Sequence, residues 1–267
     1  MMNKPTGTRE WSSFSLNIQK GCENNCLYCY ARFDALNKYK TIKNSNEWKC
    51  PVINKEKIKK IILNEYPKKN GIIMFPTVHD ITDKNIVDSL LILKRVLSGG
   101  NKVLIVSKPH LSCIKSLCNK LVDYKEQILF RFTIGSICSN VLKFWEPGAP
   151  SFSERMDSLL YAFDNRYKTS ISCEPLLDDP IPIIDNVSKL VTDAIWLGGM
   201  NWIEKRVNTM KFSKEDFKYI EKVKDVKSPD KVKEYYNKYK DDLKIKWKDS
   251  FKQILGIKFP EELGMDI

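Results

Sequence analysis

Short apolar runs recur along the first two hundred residues, and each is followed by a polar turn and then an amphipathic stretch. In residues 13–19, SFSLNIQ, the side chains of Phe14, Leu16 and Ile18 alternate with polar ones, which predicts a strand. Residues 169–173 (TSISC) read as a further strand, and the runs at 71–75 (GIIMF), 102–107 (KVLIVS), 128–135 (ILFRFTIG) and 194–197 are largely apolar. That is the signature of strands covered on both faces. Between them lie helical patterns. Residues 31–40 are good helix formers, and 55–66 turn Ile58, Ile61, Ile62 and Leu63 to one side. Asp83 caps a helix that Gly99-Gly100 ends. Further helices are predicted over 112–124, from Ser151 or Ser153 through Phe163, and over 185–191. Six such strand–helix units fit residues 13–200 and predict an α/β fold, a partial (β/α)6 TIM-type barrel. The polar residues Cys22, His79, Lys108, Ser136, Glu174 and Asn201 all follow strand ends, which gathers them at one mouth.

The pattern changes near residue 202. Residues 214–252 are mostly charged, with aromatic and aliphatic positions interspersed and a break at Ser228-Pro229. We expect residues 1–200 to form the barrel and 201–267 to form a Lys-rich helical extension packed on it. The polar stretch 41–52, with Trp48, Cys50 and Pro51, reads as a surface loop or lid.

Composition narrows the class. An apolar fraction of 42% in 267 residues supports a buried core. No apolar run reaches the roughly 18 residues of a membrane span. The first ten residues lack the apolar centre of an export signal, and the eight cysteines cluster in part, so a reducing cytoplasm is expected. The net charge of +12 favours polyanionic partners, nucleic acid first. Most of that charge is Lys rather than the Arg that phosphate and base readers prefer, so a merely solvated face accounts for it as well.

The densest chemistry lies in Gly21-Cys22-Glu23-Asn24-Asn25-Cys26-Leu27-Tyr28-Cys29-Tyr30. Three cysteines at C-x3-C-x2-C can turn their thiolates toward one point. A four-iron cluster normally takes four cysteines. Three would leave one iron open to a small molecule, as an open zinc position is in catalysis. Zinc, with Cys50 or His79 as a fourth ligand, is the other reading, and a zinc- or cluster-stabilised nucleic-acid-binding module without catalysis would follow from it.

The cysteine spacing, with Tyr28 before the last cysteine, resembles the signature of the radical SAM superfamily. The stretch Phe144-Trp145-Glu146-Pro147-Gly148-Ala149-Pro150-Ser151 through Arg155, and the strand end Val106-Ser107-Lys108, are similar to the spore photoproduct lyase and DNA-repair-photolyase-like branch. The resemblance implies a 4Fe-4S cluster on Cys22, Cys26 and Cys29, with S-adenosylmethionine (SAM) on the open iron. It implies reductive cleavage of SAM to an adenosyl radical that abstracts hydrogen from a substrate, and an electron donor such as flavodoxin or ferredoxin. It places Tyr28 by the adenine, Lys108 at the SAM carboxylate, His79 or Asp80 at the SAM amine and Ser136 at the ribose or methionine moiety, with Glu174 as a further cofactor contact and Glu146 either another such contact or an Arg155 partner that only shapes the loop. The lyase's hydrogen-donating cysteine follows its second strand, where this chain reads Pro76-Thr77-Val78. Cys138 and Cys173, at later strand ends, are the candidate substitutes.

Overall fold

In the computed structural model, which describes residues 5–264 and 266, the expected alternation becomes one seven-stranded parallel sheet. In chain order the strands are β1 (Phe14–Ser15), β2 (Gln19–Lys20), β3 (Val52–Ile53), β4 (Ile72–Phe75), β5 (Lys102–Ser107), β6 (Ile128–Thr133), β7 (Lys168–Cys173), β8 (Ile195–Leu197) and β9 (Ile245–Trp247). The sheet order is β1-β4-β5-β6-β7-β8-β9, while β2 and β3 pair separately and antiparallel. The helices are α1 (Tyr30–Asn37), α2 (Ser45–Trp48), α3 (Lys55–Leu63), α4 (Ile86–Ser98), α5 (Leu111–Lys120), α6 (Ser139–Trp145), α7 (Phe152–Asp164), α8 (Pro180–Val187), α9 (Ile203–Arg206), α10 (Phe217–Val226), α11 (Pro229–Tyr239) and α12 (Asp249–Leu255). This is a mixed α/β architecture compatible with a TIM-type partial barrel. Among the described residues no helix is long and apolar enough to cross a membrane.

Period-two alternation sorts the strands' side chains onto two faces. Ile73, Phe75, Val103, Ile105, Phe130, Phe132, Ile171 and Ile195 face the helices and, with α4, α5, α7 and α8, form the main core. The opposite, inner face carries Met74, Leu104, Ala194 and Trp196, packed on Trp11 from the N-terminal segment. Arg131 on β6 also points inward. Its guanidinium stacks at 4.6 Å over Trp11 and 5.0 Å over Trp196, and it reaches Ser170 and Asp193. A buried Arg is tolerated there because its flat faces lie on indoles and its edges meet oxygen atoms.

Three elements differ from expectation. The stretch 13–19 does not run as one strand. Asn17 accepts from the backbone N–H groups of Thr77 and Val78, and Ile18 N–H donates to His79, so side-chain bonds replace the ladder after Leu16, whose N–H still donates to the Met74 carbonyl. The Lys-rich extension is not all helical. The apolar pair Ile245 and Trp247 docks as β9 on the free edge of β8 and becomes a seventh strand, which the helical pattern around it hid. The stretch 41–52 lies mostly at the surface, as expected, but it is pinned rather than open. Trp48 is buried, and its carbonyl accepts from Cys22 N–H at 2.9 Å.

Trp11 supports the inner face between two cations, Arg131 and Lys248. We expect Trp11→Ala to lower the unfolding free energy by about 3–5 kcal/mol, measured by urea titration. A loss below about 1 kcal/mol would mean that the N-terminal segment does not pack inside the sheet in solution.

Candidate active site

The cysteine loop joins β2 to α1 and is held from three sides. Gly21 starts it in a left-handed conformation, φ +85°, where a Cβ would also meet the Trp48 carbonyl at 2.7 Å. Arg32 on α1 reaches back, donating to Asn25 Oδ1 and the Leu27 carbonyl, while its own N–H donates to Cys29 Sγ at 3.4 Å. On the far side the loop lies against the segment between α6 and α7. Leu27 N–H donates to the Trp145 carbonyl at 2.8 Å and Gly148 N–H to the Asn24 carbonyl at 3.1 Å. The approach is so close that a Cβ at Gly148 would stand 2.4 Å from the Glu23 carbonyl.

Behind this contact runs a buried charged chain. Tyr28 donates its hydroxyl to Glu146 Oε1, and Arg155 pairs with Glu146 Oε2. Arg155 also donates to the Pro150 and Thr133 carbonyls, which ties α7 and β6 to the same carboxylate. Both Glu146 and Arg155 side chains are fully buried. Burial and the neighbouring Glu146 hold the Tyr28 phenol well above its ordinary value, so it stays a donor.

Asp80 braces the loop from the end of β4. It accepts from Asn24 at 2.7 Å, from Ser107 at 2.8 Å and from Lys108 N–H at 2.7 Å. His79 beside it is buried, and burial holds its imidazole below the ordinary value and neutral. Ile18 N–H donates to Nε2, so Nδ1 carries the proton and donates to the Asp80 carbonyl. Both ring nitrogens are thus spent on main-chain bonds.

Cys22 and Cys26 are buried and Cys29 half-buried, all as free thiols. Burial, with Asp80 and Cys29 adding to it, pushes the Cys22 thiol up to about 12. Burial likewise raises Cys26, against the pull of Lys108, and Cys22 and Cys29 raise it further. Three thiols that repel one another as thiolates in a dry pocket call for a cationic partner. Burial pulls the Lys108 ammonium down, but Cys26, Glu146 and Asp80 outweigh it and hold it above its ordinary value. Its Nζ lies 5.8 Å from the Tyr28 ring centroid. The donors are thiols alone, the soft set that selects iron–sulfur clusters, zinc or copper(I), and the set fits a cluster. Among the described residues no three His, Cys, Asp or Glu side chains gather as a single metal ion requires.

The structure therefore brings Cys22, Cys26, Cys29, Tyr28, Asp80, Lys108 and Glu146 into one connected unit. Ser136 is buried after β6, where its hydroxyl accepts from Cys138 N–H at 2.9 Å. Cys138 is half-buried and packs on the apolar layer that holds Cys26 and Tyr28. Cys173 lies elsewhere. It is fully buried on the helix-facing side of β7, in the main core, and burial pushes its thiol up. Glu174, one residue on, points to the inner side, 3.6 Å from Lys248.

Around Glu174 lies a charged group that sequence reading did not single out. Lys248, fully buried just past β9, contacts Glu10 and donates to the Gly7 carbonyl, with its ammonium 3.8 Å from the Trp11 ring centroid. Arg206 on α9 stands 5.8 Å from the Tyr30 ring centroid. Burial lowers its guanidinium, and Asp34 and Glu174 partly restore it. One signal was present. Only seven of the 45 basic residues are Arg, and Arg32, Arg131, Arg155 and Arg206 all occupy built positions. In this Lys-rich chain those four Arg sit where planar geometry matters.

Three solved structures share the fold at 12–14% identity. A cysteine-to-alanine variant of spore photoproduct lyase with dinucleoside spore photoproduct superposes with a TM-score of 0.52, over 87% of this chain and 75% of that one. A cysteine-to-serine variant gives 0.52 over 92% and 79%, and the lyase complexed with dinucleoside spore photoproduct gives 0.50 over 87% and 75%. The fold is that of spore photoproduct lyase. In sequence, an uncharacterized protein of Methanocaldococcus jannaschii is 27% identical over 172 residues, which is 64% of this chain and 63% of that protein. The chain thus matches less than two thirds of that relative's length. No family model matches.

Two measurements test the electrostatics. Arg155→Ala leaves the Glu146 carboxylate buried without its cation, and we expect a loss of about 3–5 kcal/mol in denaturant unfolding. Arg155→Lys should recover only part of it, because one ammonium cannot replace the fork; full recovery would refute the bracing role. For Glu10, burial outweighs the pull of Lys248 and raises the carboxyl from 4.5 to about 8. Between those values the folded chain keeps a proton that the unfolded chain has released. Its contribution to stability is full below about pH 4.5 and is lost as pH rises to about 8. Unfolding titrations across this window should show a decline that Glu10→Gln flattens; equal slopes would contradict the assignment.

Proposed function

We propose that this chain is a radical SAM enzyme acting on a nucleic acid or nucleotide. The observation that carries the proposal is the dry, thiol-only C-x3-C-x2-C loop, locked by Gly148, Glu146 and Asp80 to the ends of parallel strands in a spore photoproduct lyase fold. Cys22, Cys26 and Cys29 would hold a 4Fe-4S cluster. When bound, that cluster and SAM supply a reductively generated adenosyl radical that takes hydrogen from a substrate C–H bond.

The chain's own residues do the rest. Lys108 keeps its charge at neutral pH and suits the SAM carboxylate. Tyr28, fixed by Glu146, presents a rigid ring beside the cysteines. Asp80 and His79 position the loop more than they reach outward, since their polar atoms are engaged within the fold. The burial of the loop excludes water from a reaction that water and oxygen would quench. Of the two thiols considered as hydrogen donors, Cys138 borders the site while Cys173 is sealed in the core. At the lyase's donor position the Tyr30 hydroxyl donates to the Thr77 carbonyl. A small acidic redox protein such as flavodoxin or ferredoxin fits as electron donor to a chain of net charge +12.

Anaerobic reconstitution with iron and sulfide tests this. We expect a brown protein with about four irons per chain that converts SAM to 5′-deoxyadenosine under dithionite, and a Cys26→Ala variant that does neither. A colourless protein with stoichiometric zinc would instead support the non-catalytic module.

A further inference from the structure

Beyond β8 the chain enters α9 through Trp202, whose backbone is left-handed at φ 60°, ψ 39°. A bulky L-residue takes that conformation only at a cost, and such outliers concentrate where a side chain is held for use. The indole is 59% exposed. It stands on the rim of a cavity of about 330 Å³ floored by Met200, Ile203 and Val223. Those three belong to the apolar layer that also contains Cys26 and Tyr28, so the cavity abuts the cysteine loop's own packing. Lys224 and Lys227 line it, and the Lys205 ammonium lies 4.4 Å from the indole centroid. Glu204, the acid in the lining, is 3.8 Å from Lys224 and mostly exposed.

We propose that this cavity binds a nucleotide unit, its base stacked on Trp202 and its phosphate held by Lys205 and Lys224. The volume suits one small ligand. An exposed indole flanked by ammonium groups offers both things a nucleotide presents, a flat π face and an anion. An acidic peptide would use the lysines but leave the indole without a partner. The inference rests on the proposed enzyme only for the use made of the nucleotide; binding itself needs neither cluster nor SAM. A free mononucleotide and one unit of a single strand share this chemistry.

The test titrates the apo protein with a fluorescently labelled mononucleotide and, separately, with a short labelled oligothymidine, read by anisotropy. At least one should saturate, weaken with added salt, and lose about tenfold or more in affinity in Trp202→Ala. Saturation by the mononucleotide identifies the free nucleotide as ligand, and saturation by the oligomer alone identifies a strand. Trp202→Phe should keep most of the binding. Trp202→Gly, which suits the left-handed backbone, should keep the wild-type thermal midpoint and still lose binding. The proposal is overturned if neither probe binds, or if Trp202→Ala or Trp202→Gly binds as wild type does. SAM cleavage measured on the reconstituted enzyme is independent of all these readings, so either proposal can fail while the other stands.

Discussion

The structure turns on one buried carboxylate. Glu146 takes a hydroxyl from Tyr28 on one oxygen and a guanidinium from Arg155 on the other, with no exposure to solvent. An isolated charge in that position would be prohibitive, and a pair alone often barely breaks even against apolar residues. What makes this one sustainable is that Arg155 also donates to the Pro150 and Thr133 carbonyls. The result is a fixed point joining β6, the α6–α7 segment, α7 and the cysteine loop. Loop position is therefore set by groups on the surrounding elements that take hold of the loop's Tyr28 and Asn24.

That constraint explains why glycines are needed where they are. Once Glu146 fixes its segment, Gly148 must pass within van der Waals contact of the Glu23–Asn24 backbone, and any side chain there would push the loop away. Gly21 plays the same part against Trp48 on the other side. The loop is held between two backbone surfaces, and Asp80 closes the third side through Asn24. Of the contacts that set the directions of the three cysteines, the Arg32 N–H bond to Cys29 Sγ engages a thiol, while those through Gly21, Gly148 and Asp80 do not.

Sequence pattern carried the strand–helix alternation because each unit repeats the same physics: a run of apolar residues covered on both faces, then one amphipathic helix. The loop's importance was legible for a similar reason, since three cysteines at that spacing are hard to reconcile with packing alone. The pattern failed where tertiary contacts outvote local preference. Asn17 and His79 divert 13–19 from a single strand, and the edge of β8 recruits Ile245 and Trp247 from a helical, Lys-rich context. Polar strand-end residues were legible as a group but not in their separate roles, because spacing shows which residues reach the mouth and not which partners they find there. Lys248 and Glu10 lie more than two hundred residues apart in sequence, so no local signal could pair them.

The division of those roles follows from counting donors and acceptors. Asp80 has three partners, both His79 nitrogens are occupied, and both Glu146 oxygens are taken. These groups build the mouth. Lys108 lies by the cysteines with a charge that its neighbours strengthen, and Glu174 and Arg206 line the inner side near Tyr30. A site that must hold a reactive group rigidly while accepting different partners needs both kinds: saturated residues to fix geometry, and charged residues with capacity left to meet a ligand. The C-terminal region supplies the second kind through Arg206, whereas Lys248 is itself saturated by Glu10, the Gly7 carbonyl and the Trp11 ring; in adding β9 the region also completes the sheet on which the first kind depends. The Lys-rich stretch thus supplies an edge strand of the fold and, in Lys248, a buried cation beside Glu174, which is why its charge alone said so little about what it does.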